Sequence, residues 1–232
     1  MHEKKDIKFR HELKYPVSTA ELQMLKNRIT NLIPMDGHVG EAGSYSIRSL
    51  YFDDIYNSCY YENENGTDPR EKFRIRIYNH STERITLECK RKERGKTLKT
   101  SCPLSIEQTR TLMAGRILPD IANQPEALRK LTLRMMTKGM HPVVIVEYDR
   151  TPYVYPNGNV RVTLDMNVSS STGIEHFLDA QIPKRPIMPA GQHLLEVKFD
   201  EYLPDFIRHN LNLHSLTQTA YSKYYLCRKY TL

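Results

Sequence analysis

The chain has no tryptophan, only four cysteines, and no apolar run long enough to cross a bilayer. Cys59, Cys89, Cys102 and Cys227 stand far apart with no C-x-x-C pair. That spacing excludes a short-range zinc site and a small disulfide framework, and points to free thiols in a reducing compartment. A membrane helix needs about 20 consecutive apolar residues, and nothing here approaches that. The opening Met-His-Glu-Lys-Lys-Asp has no apolar stretch behind it. The reading therefore expects no signal peptide, no transmembrane segment, and a soluble, cytoplasmic protein.

Familiar catalytic motifs are missing too. There is no G-x-G-x-x-G, H-E-x-x-H, G-x-S-x-G or kinase catalytic loop. Gly95-Lys96-Thr97 ends like a phosphate-binding loop, but position 90, where that motif needs its first glycine, is lysine. The nine histidines are scattered and none pairs at metal-ligand spacing. His11, beside Glu12, reads as an outward-facing or core residue and not as a base.

What the chain does have is positive charge in a pattern. Lys and Arg number 34 against 27 Asp and Glu, a net charge of +7 that favours an anionic partner. Nucleic acid, acidic lipid and phosphorylated small molecules all fit at that level. A length of 232 residues, 39% hydrophobic, allows one substantial core. Six stretches alternate apolar with charged side chains: Phe9–Lys14, Lys72–Ile77, Thr86–Lys90, Tyr148–Arg150, Arg161–Asp165 and Leu194–Lys198. In a strand, residues two apart share a face. The charged face then carries ten bases (Arg10, Lys14, Lys72, Arg74, Arg76, Lys90, Lys92, Arg150, Arg161 and Lys198) against four acids (Glu12, Glu88, Asp165 and Glu196). A solvated face mixes signs; this one suits a polyanion with a divalent metal. The 15 tyrosines do not interleave with it, because the apolar partners of Arg74 and Arg76 point the other way. Base stacking, and nucleic acid as a partner, are not expected.

Helices are signalled by capping boxes at Ser18/Glu21 and Ser105/Gln108. Leu22, Leu25, Ile29 and Leu32 follow the first at helical spacing, and the second helix closes near Gly115. Asp54 to Asn65 reads as a short helix stopped by Gly66, and Pro125 to Lys138 as one capped by Gly139. Helices are also expected over Leu203–Leu213 and Thr217–Tyr230. Tyr45–Asp53 and Val143–Val154 read as strands, the latter turning through Tyr155-Pro156-Asn157-Gly158-Asn159 into a strand at Val160. One α+β domain over residues 1–232 accounts for all of this. An open sheet with a solvated face and a closed barrel both fit the alternation. The bias in sign argues for a charged lumen, with helices covering Phe73, Ile75, Ile77, Leu195, Val197 and Phe199.

Eight stretches in order carry a resemblance. Arg10-His-Glu12-Leu-Lys14, Arg48-Ser-Leu-Tyr51-Phe-Asp53, Phe73-Arg74-Ile-Arg76-Ile-Tyr78, Leu87-Glu88-Cys-Lys90-Arg-Lys92, Glu147-Tyr148-Asp-Arg150, Arg161-Val-Thr-Leu-Asp165, Leu195-Glu196-Val-Lys198 and Ser222-Lys223-Tyr224 resemble the VTC domain, the polyphosphate polymerase branch of the triphosphate tunnel metalloenzymes (CYTH-like). The resemblance implies a closed antiparallel β-barrel with a charged lumen and helices packed outside. It implies transfer of the terminal phosphate of ATP to a growing inorganic polyphosphate chain, with Mn2+ or Mg2+. Carried over by position, Lys14, Arg74, Arg76, Lys90, Lys198 and Lys223 would be catalytic. Arg10, Lys99, Tyr148, Arg150, Arg161 and Ser222 would bind substrate, and Glu196, with Glu12, Glu88 or Asp165, would hold the metal. Hydrolase and cyclase members begin E-x-E-x-K, and Arg10 replaces the first of those carboxylates, which favours the polymerase branch. A tripolyphosphatase or nucleoside triphosphatase on the same tunnel, and a non-catalytic polyphosphate binder, are the alternatives.

Overall fold

The computed structural model describes residues 10–40 and 42–232. Phe9 and the N-terminal residues on which the signal-peptide expectation rests lie outside them. Fifteen elements run in the order β1 (His11–Ser18), α1 (Thr19–Thr30), β2 (Tyr45–Asp53), α2 (Ser58–Glu64), β3 (Arg70–Tyr78), β4 (Ser81–Glu93), β5 (Lys96–Leu104), α3 (Ile106–Met113), α4 (Glu126–Lys138), β6 (His141–Tyr155), β7 (Val160–Ser171), β8 (Arg185–Pro186), β9 (Gln192–Phe199), α5 (Asp205–Asn210) and α6 (Lys223–Lys229). The strands form one antiparallel sheet ordered β1-β9-β7-β6-β2-β3-β4-β5, with β8 attached to β7.

Period-two alternation sorts this sheet into two faces. Phe73, Ile75 and Ile77 are fully buried on the outer face, with Leu87, Cys102 and Leu104, against Leu112 of α3 and Leu128, Leu131 and Met135 of α4. Tyr15, Val17, Val162, Leu195 and Val197 make a second cluster under Leu22, Leu25 and Ile29 of α1 and Ile207 of α5. Each such side chain contributes about 1.5–3 kcal/mol on leaving water. Both expected capping boxes form, at Ser18/Glu21 and Ser105/Gln108, and Gly139 ends α4 in the left-handed conformation. All four cysteines are free and buried, and no helix among the described residues is long and apolar enough to cross a membrane.

Five expectations need correction. The helix expected from Asp54 starts only at Ser58, after left-handed Asn57. The sheet curls into a half-barrel and does not close fully: among the described residues its edge strands meet at the single bridge Arg10–Thr97. From Glu12 on, β1 runs past the Arg94–Gly95 turn. The inner face of β5 is therefore open, and Lys99, Ser101 and Pro103 are exposed. Leu32 lies past the end of α1 and is exposed, whereas Ile33 is buried in its place. The helix expected over Leu203–Leu213 shortens to α5, because left-handed Asn212 breaks it before a single 3-10 turn. The helix expected from Thr217 starts only at Lys223, where Ser222 caps it by accepting from the Tyr225 amide. The stretch before it is non-helical and docks on β1, the Thr219 amide donating to the Lys14 carbonyl at 2.9 Å.

Candidate functional site

The inner face of the sheet surrounds a cavity of about 330 Å3. Eleven of the residues picked from sequence line it together: Glu12, Lys14, Arg74, Arg76, Lys90, Tyr148, Arg150, Glu196, Lys198, Ser222 and Lys223. Among the described residues its wall holds ten cationic side chains against two carboxylates, Glu12 and Glu196. Five picked residues lie elsewhere. Glu88 and Asp165 sit behind the wall, buried under the cations they hold. Lys99 lies on the open face of β5. Arg10 is at the rim, its Nε 2.9 Å from Asp200. Arg161 contacts Asp36 at 2.7 Å and donates to the Tyr45 hydroxyl at 3.1 Å.

Two buried carboxylates fix the arginines. Arg74 and Arg76 share a face of β3, and Glu88 sits opposite Arg74 on β4. Arg74 reaches Glu88 through Nε at 2.7 Å and Nη2 at 2.6 Å, with Lys99 at 3.1 Å and Arg76 at 3.7 Å. Burial alone would raise the Glu88 pKa, but Arg74, Arg76 and Lys99 outweigh it and hold the carboxyl far below the usual range. On the other wall Arg150, opposite Asp165 in the β6–β7 register, forks onto it with Nε at 2.6 Å and Nη2 at 2.7 Å. Lys223 reaches the same carboxylate at 2.6 Å from the start of α6. Burial disfavours ionisation of Asp165, yet Arg150 and Lys223 lower its pKa. In each case the planar fork is held at its base, so the remaining N–H groups are presented to the cavity. Hydroxyls complete the walls: Arg74 donates to the Tyr51 hydroxyl at 2.8 Å and Arg76 to the Ser49 hydroxyl at 3.2 Å.

Between these walls, β1 and β9 place Lys14 opposite Glu196 and Glu12 opposite Lys198. Lys14 Nζ stands 3.6 Å from Glu12 and 3.7 Å from Glu196, and Lys198 Nζ 3.7 and 3.2 Å from the same pair. Lys90 donates to Glu12 at 2.6 Å, and Arg150 approaches Glu196 at 3.2 Å. Burial opposes the charge on Glu196, but Lys198, Lys14 and Lys223 hold its pKa well below the ordinary value. Burial also pulls the Lys90 and Lys198 pKa values down despite their carboxylate partners.

Among the described residues no three His, Cys, Asp or Glu gather at metal-holding distance. The donor set nonetheless suits a hard divalent ion that takes one or two carboxylates and completes its shell with phosphate and water. Glu12 and Glu196 supply that pair. Thr163 Oγ1, on the neighbouring position of β7 opposite Glu196, is buried without a hydrogen-bond partner. The fit is to a shared site, not to an all-protein cage.

Residues missed by sequence reasoning come mostly from outside the alternating strands. Asn63 of α2 and Gln218, Thr219 and Tyr221 before α6 also line the cavity. Nothing in their local pattern marks them, because tertiary docking brings them there. Arg70, Lys72 and Lys92 are wall residues too; the last two share the charged faces of β3 and β4, which was the signal for them. Arg48, within one of the quoted stretches, faces away from the cavity. It is fully buried, donates to Glu147 at 2.6 Å and to the Phe177 carbonyl at 3.0 Å, and so clips the loop after β7 to the outer face.

Residues 9–232 match the family model of the VTC domain. No curated protein matches the chain. Among solved structures, an adenylate cyclase candidate from Bacillus halodurans aligns with a TM-score of 0.53 at 16% identity, over 92% of this chain and 95% of that one. An adenylyl cyclase candidate from Hippeastrum, with a dominant triphosphatase activity, aligns at 0.55 and 12% identity over 97% of each. At these identities the likeness is one of fold.

Proposed function

The chain belongs to the VTC domain family, and we propose that it is a metal-dependent polyphosphate polymerase that moves the terminal phosphate of ATP onto a growing polyphosphate chain. The observation that carries this reading is the wall itself: among the described residues, ten cations stand against two carboxylates around one cavity, with no histidine or cysteine lining it. Phosphoryl transfer needs no covalent side-chain nucleophile. Its demands are alignment of the attacking and leaving oxygens and cations placed where negative charge spreads.

Arg74 and Arg76 on one wall and Arg150 and Lys223 on the other would grip the phosphates from two sides, pre-oriented by Glu88 and Asp165. Lys14, Lys90 and Lys198 are movable point charges able to exchange Glu12 and Glu196 for phosphate oxygens. Glu196 and Glu12 would hold a divalent ion, whose charge would help neutralise the leaving group. The terminal oxygen of the polymer attacks in line, and ADP leaves. Arg10 supports polymerisation over hydrolysis, since it adds a cation at the rim where hydrolase members would carry a carboxylate.

Purified protein with ATP and Mn2+ or Mg2+ is expected to release ADP and accumulate phosphate chains resolvable by length, with short polyphosphate acting as primer. Orthophosphate as the sole product beside ADP would make water the nucleophile and the chain a triphosphatase, the activity of the Hippeastrum neighbour. Binding of polyphosphate with no nucleotide turnover under any divalent ion would make it a binder. Glu196→Gln, which keeps shape and removes charge, should lower transfer on the order of a hundredfold. A variant with normal metal dependence would move the principal ligand to Glu12.

A further inference from the structure

One corner of the cavity differs chemically from the rest. Arg74, Arg76, Arg150 and Lys223 of the two walls, and Lys14, Lys90 and Lys198 between them, each have a carboxylate within 4.0 Å. Among the described residues, three cavity cations have none: Arg70, Lys72 and Lys92. They cluster on one hairpin, Arg70 opposite Lys92 and Lys72 opposite Lys90. The Arg70 guanidinium donates to the Thr67 carbonyl at 2.8 Å. The Lys72 ammonium donates to Asn63 Oδ1 at 2.7 Å and to Ser222 Oγ at 3.2 Å, and lies 4.9 Å from the centre of the Tyr224 ring. Those partners are neutral, and an ammonium has three donors. One remains for a ligand.

Grouped cations without an anion destabilise a partly buried site. Burial, reinforced by Arg70 on its own strand, Lys14 on β1 and Lys90 on β4, pushes the Lys72 pKa down to about 7. Cys59 of α2 and Tyr224 of α6 also face it. Burial raises both of their pKa values, and the pull of Cys59 on Lys72 does not offset burial and the neighbouring cations. The corner is built for an anion that arrives from outside. Unlike the Glu12–Glu196 end, it places no carboxylate of the described residues within 4.0 Å of its three cations, although Glu12 and Asp68, from further away, act against the burial that lowers the Lys92 pKa.

We propose that Arg70, Lys72 and Lys92, with Asn63 and Ser222, form a second phosphate subsite that holds a phosphate of an inorganic polyphosphate chain without a metal ion and draws a proton from solvent onto Lys72 Nζ as it fills. The subsite rests on the reading of the chain as a polyphosphate enzyme, and it assigns the metal-bridged donor to the other end of the cavity.

The test is titration calorimetry of the full chain with tripolyphosphate in resin-treated, metal-free buffer at pH 8, repeated in two buffers of different ionisation enthalpy. At that pH about nine-tenths of Lys72 is neutral in the free protein. Wild type should take up at least about half a proton more per bound ligand than Lys72→Met or Lys72→Arg, with the ligand's own titration cancelling between variants. Lys72→Met should bind about tenfold more weakly, the worth of one charge-assisted contact. Lys72→Arg should keep most of the affinity while losing the extra uptake. Arg91→Met, on the outer face of β4, should change neither. Wild-type proton uptake in both Lys72 variants overturns the proposal, as does tripolyphosphate binding only when Mg2+ is added. If Lys72→Met does not unfold cooperatively, the Lys72→Arg uptake decides alone. The assay contains neither ATP nor metal, so a chain that makes no polymer can pass it and a working polymerase can fail it.

Discussion

Strand β3 puts two opposite chemistries one residue apart. Phe73, Ile75 and Ile77 face α3 and α4 with no water contact, while Lys72, Arg74 and Arg76 face the cavity. The outer row has many packed neighbours and no ligand to serve. The inner row is a set of like charges that repel one another, two of which, Arg74 and Arg76, are restrained by Glu88 from the next strand. Stability and function therefore occupy different faces of the same peptide, and substitutions on each should separate cleanly.

The largest separation is expected at Phe73. Phe73→Ala leaves a cavity beneath α4 and should lower unfolding free energy by about 3–5 kcal/mol, measured by urea denaturation followed by circular dichroism. Activity per folded molecule should persist. A large loss of activity in the folded fraction would show that the outer packing shapes the cavity. The inner face gives the next effect. Arg74→Ala or Arg76→Ala should cut phosphoryl transfer by more than tenfold, about 1.4 kcal/mol or more in the barrier, with melting temperature nearly unchanged, since Glu88 keeps Lys99 at 3.1 Å. Melting that falls while specific activity holds would make the arginines structural.

The smallest effect sharpens the boundary between the faces. Glu88 is held ionised in the fold, so its contribution is fully present above the unfolded carboxylate value and is lost as pH falls below it. Wild type should lose on the order of 1 kcal/mol more than Glu88→Gln between pH 5 and pH 3. Identical acid slopes would mean that the arginines are held without it.

Much of the architecture was legible because its code is local. Alternation along Lys72–Ile77 and Leu194–Lys198 assigned both faces, and Ser18/Glu21 and Ser105/Gln108 placed two helix starts correctly. The curl of the sheet was harder to read, because closure depends on the register between β1 and β5, and no residue within either strand encodes it. The site divided in the same way. Side chains alternating on strands, such as Arg74, Arg150 and Glu196, were found. Asn63 and Tyr221 reach the cavity only through the docking of α2 and of the stretch before α6. Glu88 and Asp165 share the charged face with the wall cations, yet the forks of Arg74 and Arg150 cover them. Period two gives direction, not depth.

The pairing of β1 with β9 has a consequence for how the protein is made. Strand β1 leaves the ribosome long before β9, the partner that satisfies its backbone. Until then Leu13, Tyr15 and Val17 sit on an unpaired strand, the kind of segment that recruits other nascent chains. Glu12 and Lys14 interrupt that apolar row at every second position, as gatekeeping charges do. Glu12 and Lys14, which line the finished cavity, are thus placed to protect the waiting strand, and replacing them with apolar residues should lower soluble yield before it touches any assay of turnover.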